Sequence, residues 1–195
     1  VDKEMPMIEG RKAGNGKDPV EAEHESAAPG AGDLFAKMVK SVSEGIAHAA
    51  KETGKDVAHL LESVSGVVQN SVREAVGAGS NLVLGAKAIV VGVLRGTGER
   101  EEAALKTLSH TARAVIRHTA QLGGDLAASA KGLVLGAIAG AKEANVDRAK
   151  MASSVAQGAL EGADEAGSVA AEKVRQVLKE PIGGVKVVLP EPIRR

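Results

Sequence analysis

The chain has 195 residues, with 25 basic and 25 acidic side chains and no formal net charge at neutral pH. Phe35 is its only aromatic residue, and Cys, Trp and Tyr are absent. Balanced, interspersed charge without stacking rings argues against nucleic-acid capture, and the lack of cysteine excludes disulfides, thiolate metal sites and cysteine catalysis.

A protein core usually draws much of its buried area from aromatics, roughly 150–250 Å² each. Here Ala, Val, Leu and Gly must do that work in a chain that is 44% hydrophobic. Small side chains gain less hydrophobic free energy per contact. The composition therefore predicts an all-α protein: an elongated long-helix bundle or coiled-coil-like assembly that reaches a normal stability margin with a partner. The absence of cysteine fits a reducing, cytoplasmic location.

Residues 1–31 are polar and rich in Gly, Pro, Glu and Lys, and read as a disordered or extended arm. Helical spacing begins at Asp33, an expected N-cap, with Leu34, Phe35, Met38, Val39, Val42 and Ile46 on one face. Thr53-Gly54 ends this first helix, expected over 33–53. A second is expected over 56–95, carrying Val57, Leu60, Leu61, Val64, Val68 and Val72 into Leu82-Val83-Leu84-Gly85-Ala86. At about 1.5 Å per residue it would be roughly 60 Å long. Gly96-Thr97-Gly98 is the clearest turn signal. The third helix, 99–122, opens acidic and turns basic, as the helix dipole favours. Gly123-Gly124 closes it, and Asp125 is placed to cap a fourth. That helix, 125–180, shows small or apolar residues at steps of three and four, through Ala141, Asn145, Ala149 and Ala166, until Pro181. The tail, 181–195, contains Gly183-Gly184-Val185-Lys186-Val187-Val188-Leu189 and reads as an extended docking peptide that needs an edge to pair with, its own or a partner's.

Two features stand out within the helical region 32–180. The pentapeptide Leu-Val-Leu-Gly-Ala occurs at 82–86 and again at 133–137. If the turns reverse the chain, the helices bearing the two copies run parallel, and the copies lie within about one helical turn in height. Leu82, Val83, Leu84, Gly85, Leu133, Val134 and Leu135 then form one apolar layer built twice. The second feature is glycine spacing. Gly132, Gly136 and Gly140 recur every four residues, as do Ser154, Gly158, Gly162 and Ala166. Glycine inside a helix costs roughly 1 kcal/mol relative to alanine, and close backbone approach is the usual compensation. These seams are expected to be helix-packing interfaces.

The apolar layer does not read as membrane-spanning. Residues 75–94 include Lys87 together with Gly77, Gly79, Ser80 and Asn81, and 132–141 is too short. Peripheral contact with a membrane or an apolar granule surface is the remaining lipid reading. Nothing in the sequence forms a catalytic constellation. His24, His48, His59, His110 and His118 read as exposed or interfacial, and His110 and His118 share a helix face without a ligand-spaced partner. No serine sits in a nucleophile elbow, and the glycines make neither a phosphate loop nor a dinucleotide fingerprint. No catalytic, cofactor-binding or metal-binding residue is assigned.

Stretches such as Ala166-Gly167-Ser168-Val169-Ala170-Ala171-Glu172-Lys173, where Ala/Gly seams alternate with Lys and Glu, resemble bacterial phasins and desiccation-type helical proteins. The resemblance is compositional and spans about 33–180. It implies either an amphipathic coat on a lipid or polymer granule or a stress-type helical protein. The residues themselves favour a non-catalytic scaffold or accessory subunit. Such a subunit would form a homo-oligomer, join a larger, membrane-linked protein complex, and bind no nucleic acid.

Overall fold

Seven α-helices follow one another in the computed structural model, which describes residues 31–53, 57–77, 81–97 and 101–189. They are α1 (Ala31–Thr53), α2 (Val57–Gly77), α3 (Leu82–Thr97), α4 (Glu101–Gln121), α5 (Leu126–Ala144), α6 (Arg148–Ala166) and α7 (Ser168–Leu178). The protein is all-α, as its composition implies. The expected arm over 1–31 lies outside the described residues, save Ala31, which opens α1.

The two longest helices expected from periodicity are each divided. The 56–95 segment breaks after Gly77, and α3 restarts under a cap in which the Asn81 side chain accepts from the Val83 N–H at 3.0 Å. The 125–180 segment breaks twice. Asn145 adopts a left-handed conformation (φ 54°) and closes α5, and Asp147 then accepts the Ala149 and Lys150 N–H groups to open α6. Gly167, at φ 121°, separates α6 from α7. Asn145 and Gly167 leave the three-and-four periodicity intact while changing the backbone direction, so spacing alone runs straight through both. Conversely, α3 continues through Gly96 and Thr97, which the sequence marks as a turn.

The helices stack as three hairpins, α1–α2, α3–α4 and α5–α6, with α7 closing the end against α5 and α6. The three most extensive contacts join alternate helices, α1 to α3 and α3 to α5 in one layer and α4 to α6 in the other, where α2 also meets α4 less extensively. Cross-helix hydrogen bonds within the layers link residues 45, 48, 49 or 52 positions apart, a repeat length of roughly one hairpin. Neighbouring repeats thus meet at similar offsets, as in architectures built by stacking one supersecondary unit.

Between the layers lies one contiguous core. It takes Val42 and Ile46 from α1, Val64, Val68 and Val72 from α2, and Ile89, Leu108, Ile116, Leu133, Ile138, Met151 and Leu160 from the helices that follow. The exposed faces of the terminal helices carry Lys37, Lys40 and Glu44 on α1 and Glu172 and Lys173 on α7, with Leu34 and Val169 as exposed apolar points among them. Among the described residues no helix is long and apolar enough to cross a membrane.

The tail folds back on this core. Ile182 and Val185 form an antiparallel bridge around Gly183 and Gly184, both at positive φ. Ile182 and Val187 are buried, and the Val188 N–H donates to Ser153 Oγ at 3.0 Å. The edge that this segment pairs with is its own, and residues 190–195 lie outside the described set.

Candidate functional site

Every residue of the first glycine series faces α3. A Cβ on Gly136 would stand 2.8 Å from the Lys87 carbonyl oxygen and from Val90 Cβ. One on Gly132 would overlap the Val83 carbonyl, and one on Gly140 would meet the end of the Leu94 side chain. The second series lies along α4. Ser154 Oγ donates to the Leu105 carbonyl at 2.8 Å, a Cβ on Gly158 would overlap the Ser109 carbonyl, and one on Gly162 would stand 2.5 Å from the Arg113 carbonyl. Ala166, the last residue of α6, is exposed. In each seam a helix lies so close that only a glycine hydrogen fits over the neighbouring carbonyl, a geometry that favours weak Cα–H···O contacts.

An ion pair closes each clamp. Three residues beyond Gly140, Glu143 receives a two-pronged contact from Arg95 at 2.9 and 3.0 Å. Three residues beyond Gly162, Glu165 pairs with Arg113. Both pairs are largely exposed, so each contributes at most about 1 kcal/mol. A third clamp was not singled out from the sequence. Gly92 and Gly96 of α3 sit over Val39, Val42, Ser43 and Ile46 of α1, with hypothetical Cβ positions 2.7–3.0 Å from those residues. Their four-residue spacing is the sequence signal for this clamp, and the turn signal Gly96-Thr97-Gly98 masks it.

The apolar layer faces its own chain. Leu133, Val134 and Leu135 are fully buried, whereas Leu82, Val83 and Leu84 are half-buried and Gly85 packs against Ala75. Helices α3 and α5 are parallel and in direct contact, and α4 belongs to the other layer instead of lying between them. Gly132 lies over Val83 and Ala86, which places the second pentapeptide about one turn away from the first in register.

Interface α2·α4 is made differently, and it carries the polar chemistry. His110 Nε2 lies 2.9 Å from Ser65 Oγ. The Leu61 carbonyl, one turn before Ser65 on α2, also accepts from the imidazole. In the Ser65 contact either atom can donate, as the tautomer of the ring dictates. His110 is kept below the ordinary imidazole value, chiefly by burial and then by the positive charge of Arg113, with Arg117 adding to it; the Leu61 carbonyl opposes the shift. Arg117 is half-buried, and its Nε has no hydrogen-bond partner. A neutral imidazole against a hydroxyl is an arrangement that can accept or return a proton.

Of the other histidines His48 is exposed, and His118 is interfacial. His118 is buried and contacts the Gln121 side-chain oxygen at 3.1 Å, because α4 is covered on both sides. His24 and the side chain of His59 lie outside the described residues. Lys87, also buried, places its ammonium 5.5 Å from the centroid of the Phe35 ring, so the one aromatic serves as a cation–π platform. A cavity of about 10 Å³ adjoins the buried Thr119–Ser129 pair, room for at most a water molecule. Among the described residues no group of three or more side chains is placed to hold a metal ion. The chain matches no protein-family model and no curated protein sequence.

Proposed function

We propose that the chain is a non-catalytic helical scaffold or accessory subunit that associates with copies of itself and organises a larger, membrane-linked complex. The observation that supports this reading is the stack of clamped hairpins. Repeat stacks of this kind present extended, continuous faces for association while each unit contacts only its neighbours. Because the glycine seams are filled by helices of the same chain, association falls to the outer faces and the ends. At the C-terminal end Val169 and Val188 are 70% and 77% exposed, apolar points beside the charged face of α7. A coiled-coil-like arrangement would then be one of whole bundles side by side, in place of single long helices.

Sedimentation velocity at micromolar protein tests the proposal. An oligomer that weakens when Val169 and Val188 are changed together to Lys is the expected result. A monomer at every concentration would overturn self-association. A coat on lipid or polymer would need the apolar faces of α3 and α5 to leave their neighbours in the bundle, and flotation of the folded protein with such particles would favour that reading instead.

A further inference from the structure

Of the contacts between alternate helices, those of α1, α5 and α6 are closed by glycines over backbone, whereas that of α2 with α4 joins apolar residues of the core to one polar contact, made by a histidine. We propose that the His110–Ser65 contact is a latch that holds α2 onto α4 at neutral pH and lets it go on acidification.

The geometry supplies the latch. His110 reaches across the interface to two groups of α2 one helical turn apart, the Ser65 hydroxyl and the Leu61 carbonyl. No glycine brings these two backbones together: Gly66 of α2 faces open space, as does Gly77. The charges around the ring make its protonated form unwelcome. Arg113 and Arg117 of α4 both act on it. On α2 the nearest carboxylate in sequence, Glu62, is exposed and is not among the groups that act on the ring. On α6 Glu161 and Glu165 act on Arg113, and Glu165 is already engaged with it. No charge from α3 or α5 is among those acting on His110.

Protonation therefore places a third cation in a half-buried site. With its value depressed in the closed form, His110 takes up a proton as the interface opens. The closed form is fully favoured above the ordinary imidazole range, near pH 6.5. It loses ground as pH falls toward the depressed midpoint, and the opening equilibrium rises by up to about tenfold per pH unit across that window. Opening would loosen the cover over Val64, Val68 and Val72, an apolar stripe that is buried in the closed form.

Hydrogen exchange of the full chain, followed by mass spectrometry at pH 7 and pH 5 and corrected for intrinsic rates, reads the latch directly. Peptides from α2 are expected to lose protection at pH 5 while those from α6 keep theirs. In His110→Gln, which retains hydrogen-bonding atoms but cannot be charged, that pH dependence disappears. In His118→Gln it persists. Unchanged α2 protection at pH 5, or equal loss in His110→Gln, overturns the proposal. A direct titration of the His110 ring by NMR in the unaltered protein stands independently of any variant: a midpoint below the ordinary value supports the latch, and one at or above it removes it.

Discussion

Helix α4 is held by α6 on one side and by α2 on the other, and the two contacts use different chemistry. Toward α6 it offers backbone: the carbonyls of Leu105, Ser109 and Arg113 meet Ser154, Gly158 and Gly162 in strict four-residue register. Toward α2 it offers a side chain, His110, to a hydroxyl and a carbonyl. The first contact has no titratable group at its centre and almost no room for adjustment. The second depends on a protonation state and on one side-chain hydrogen bond. A chain short of large side chains can thus hold helices together by closeness or by polarity, and only closeness is indifferent to solution conditions.

The sharpest way to break this contrast is to place a methyl group in the rigid contact. In Gly158→Ala the new Cβ falls on the Ser109 carbonyl, backbone against backbone, so one helix must move. Overpacking of this kind costs roughly 1–3 kcal/mol, occasionally more, and the upper end is expected because no side chain can rotate away. Urea denaturation followed by circular dichroism measures it. A loss below about 1 kcal/mol would mean that α4 and α6 are not locked at this distance. Gly140→Ala serves as the built-in comparison, since its Cβ meets only the Leu94 side-chain tip, and its cost should be clearly smaller.

The polar contact is tested by Ser65→Ala. Removing the hydroxyl leaves His110 Nε2 without its partner in a half-buried site. Leaving such a group unsatisfied costs about 1–3 kcal/mol, and partial access of water places the expectation near the lower figure. The loss should be largest at neutral pH and should shrink toward pH 5, where the contact is already weakened. A pH-independent loss would separate Ser65 from the imidazole.

How much of this was readable beforehand follows the same division. Helix-forming periodicity and the glycine spacings at 132–140 and 154–162 are local properties, and the sequence displays both. The identity of the surface under each glycine is not local: Ser109 lies 49 residues before Gly158, and nothing in either neighbourhood names the other. The Ser65–His110 pair is illegible for the same reason, at a separation of 45. Boundaries failed where a cap substitutes for a break in pattern, as at Asn145–Asp147, whose side chains and left-handed turn end one helix and begin the next within three residues. In the tail the sequence leaves the pairing edge open, and the structure supplies the chain's own, because Gly183 and Gly184 permit a tight reversal that returns Ile182 and Val187 to the core.

The smallest expected effect carries the opposite sign, and for that reason it discriminates well. Gly66 lies in the interior of α2, one residue past Ser65, and a Cβ there meets nothing within 4 Å. Glycine at such a position gives up backbone entropy without gaining a close approach, so Gly66→Ala should stabilise by about 0.5–1 kcal/mol. The same substitution at Gly158 should destabilise severalfold more, although both sites are mid-helix glycines of the same layer, on either side of α4. Chemical denaturation of the two variants beside the parent settles the pair. If Gly66→Ala were also destabilising, α2 would have to lie closer to another backbone than it does, and the distinction between a clamped and a latched interface would fail at its simplest point.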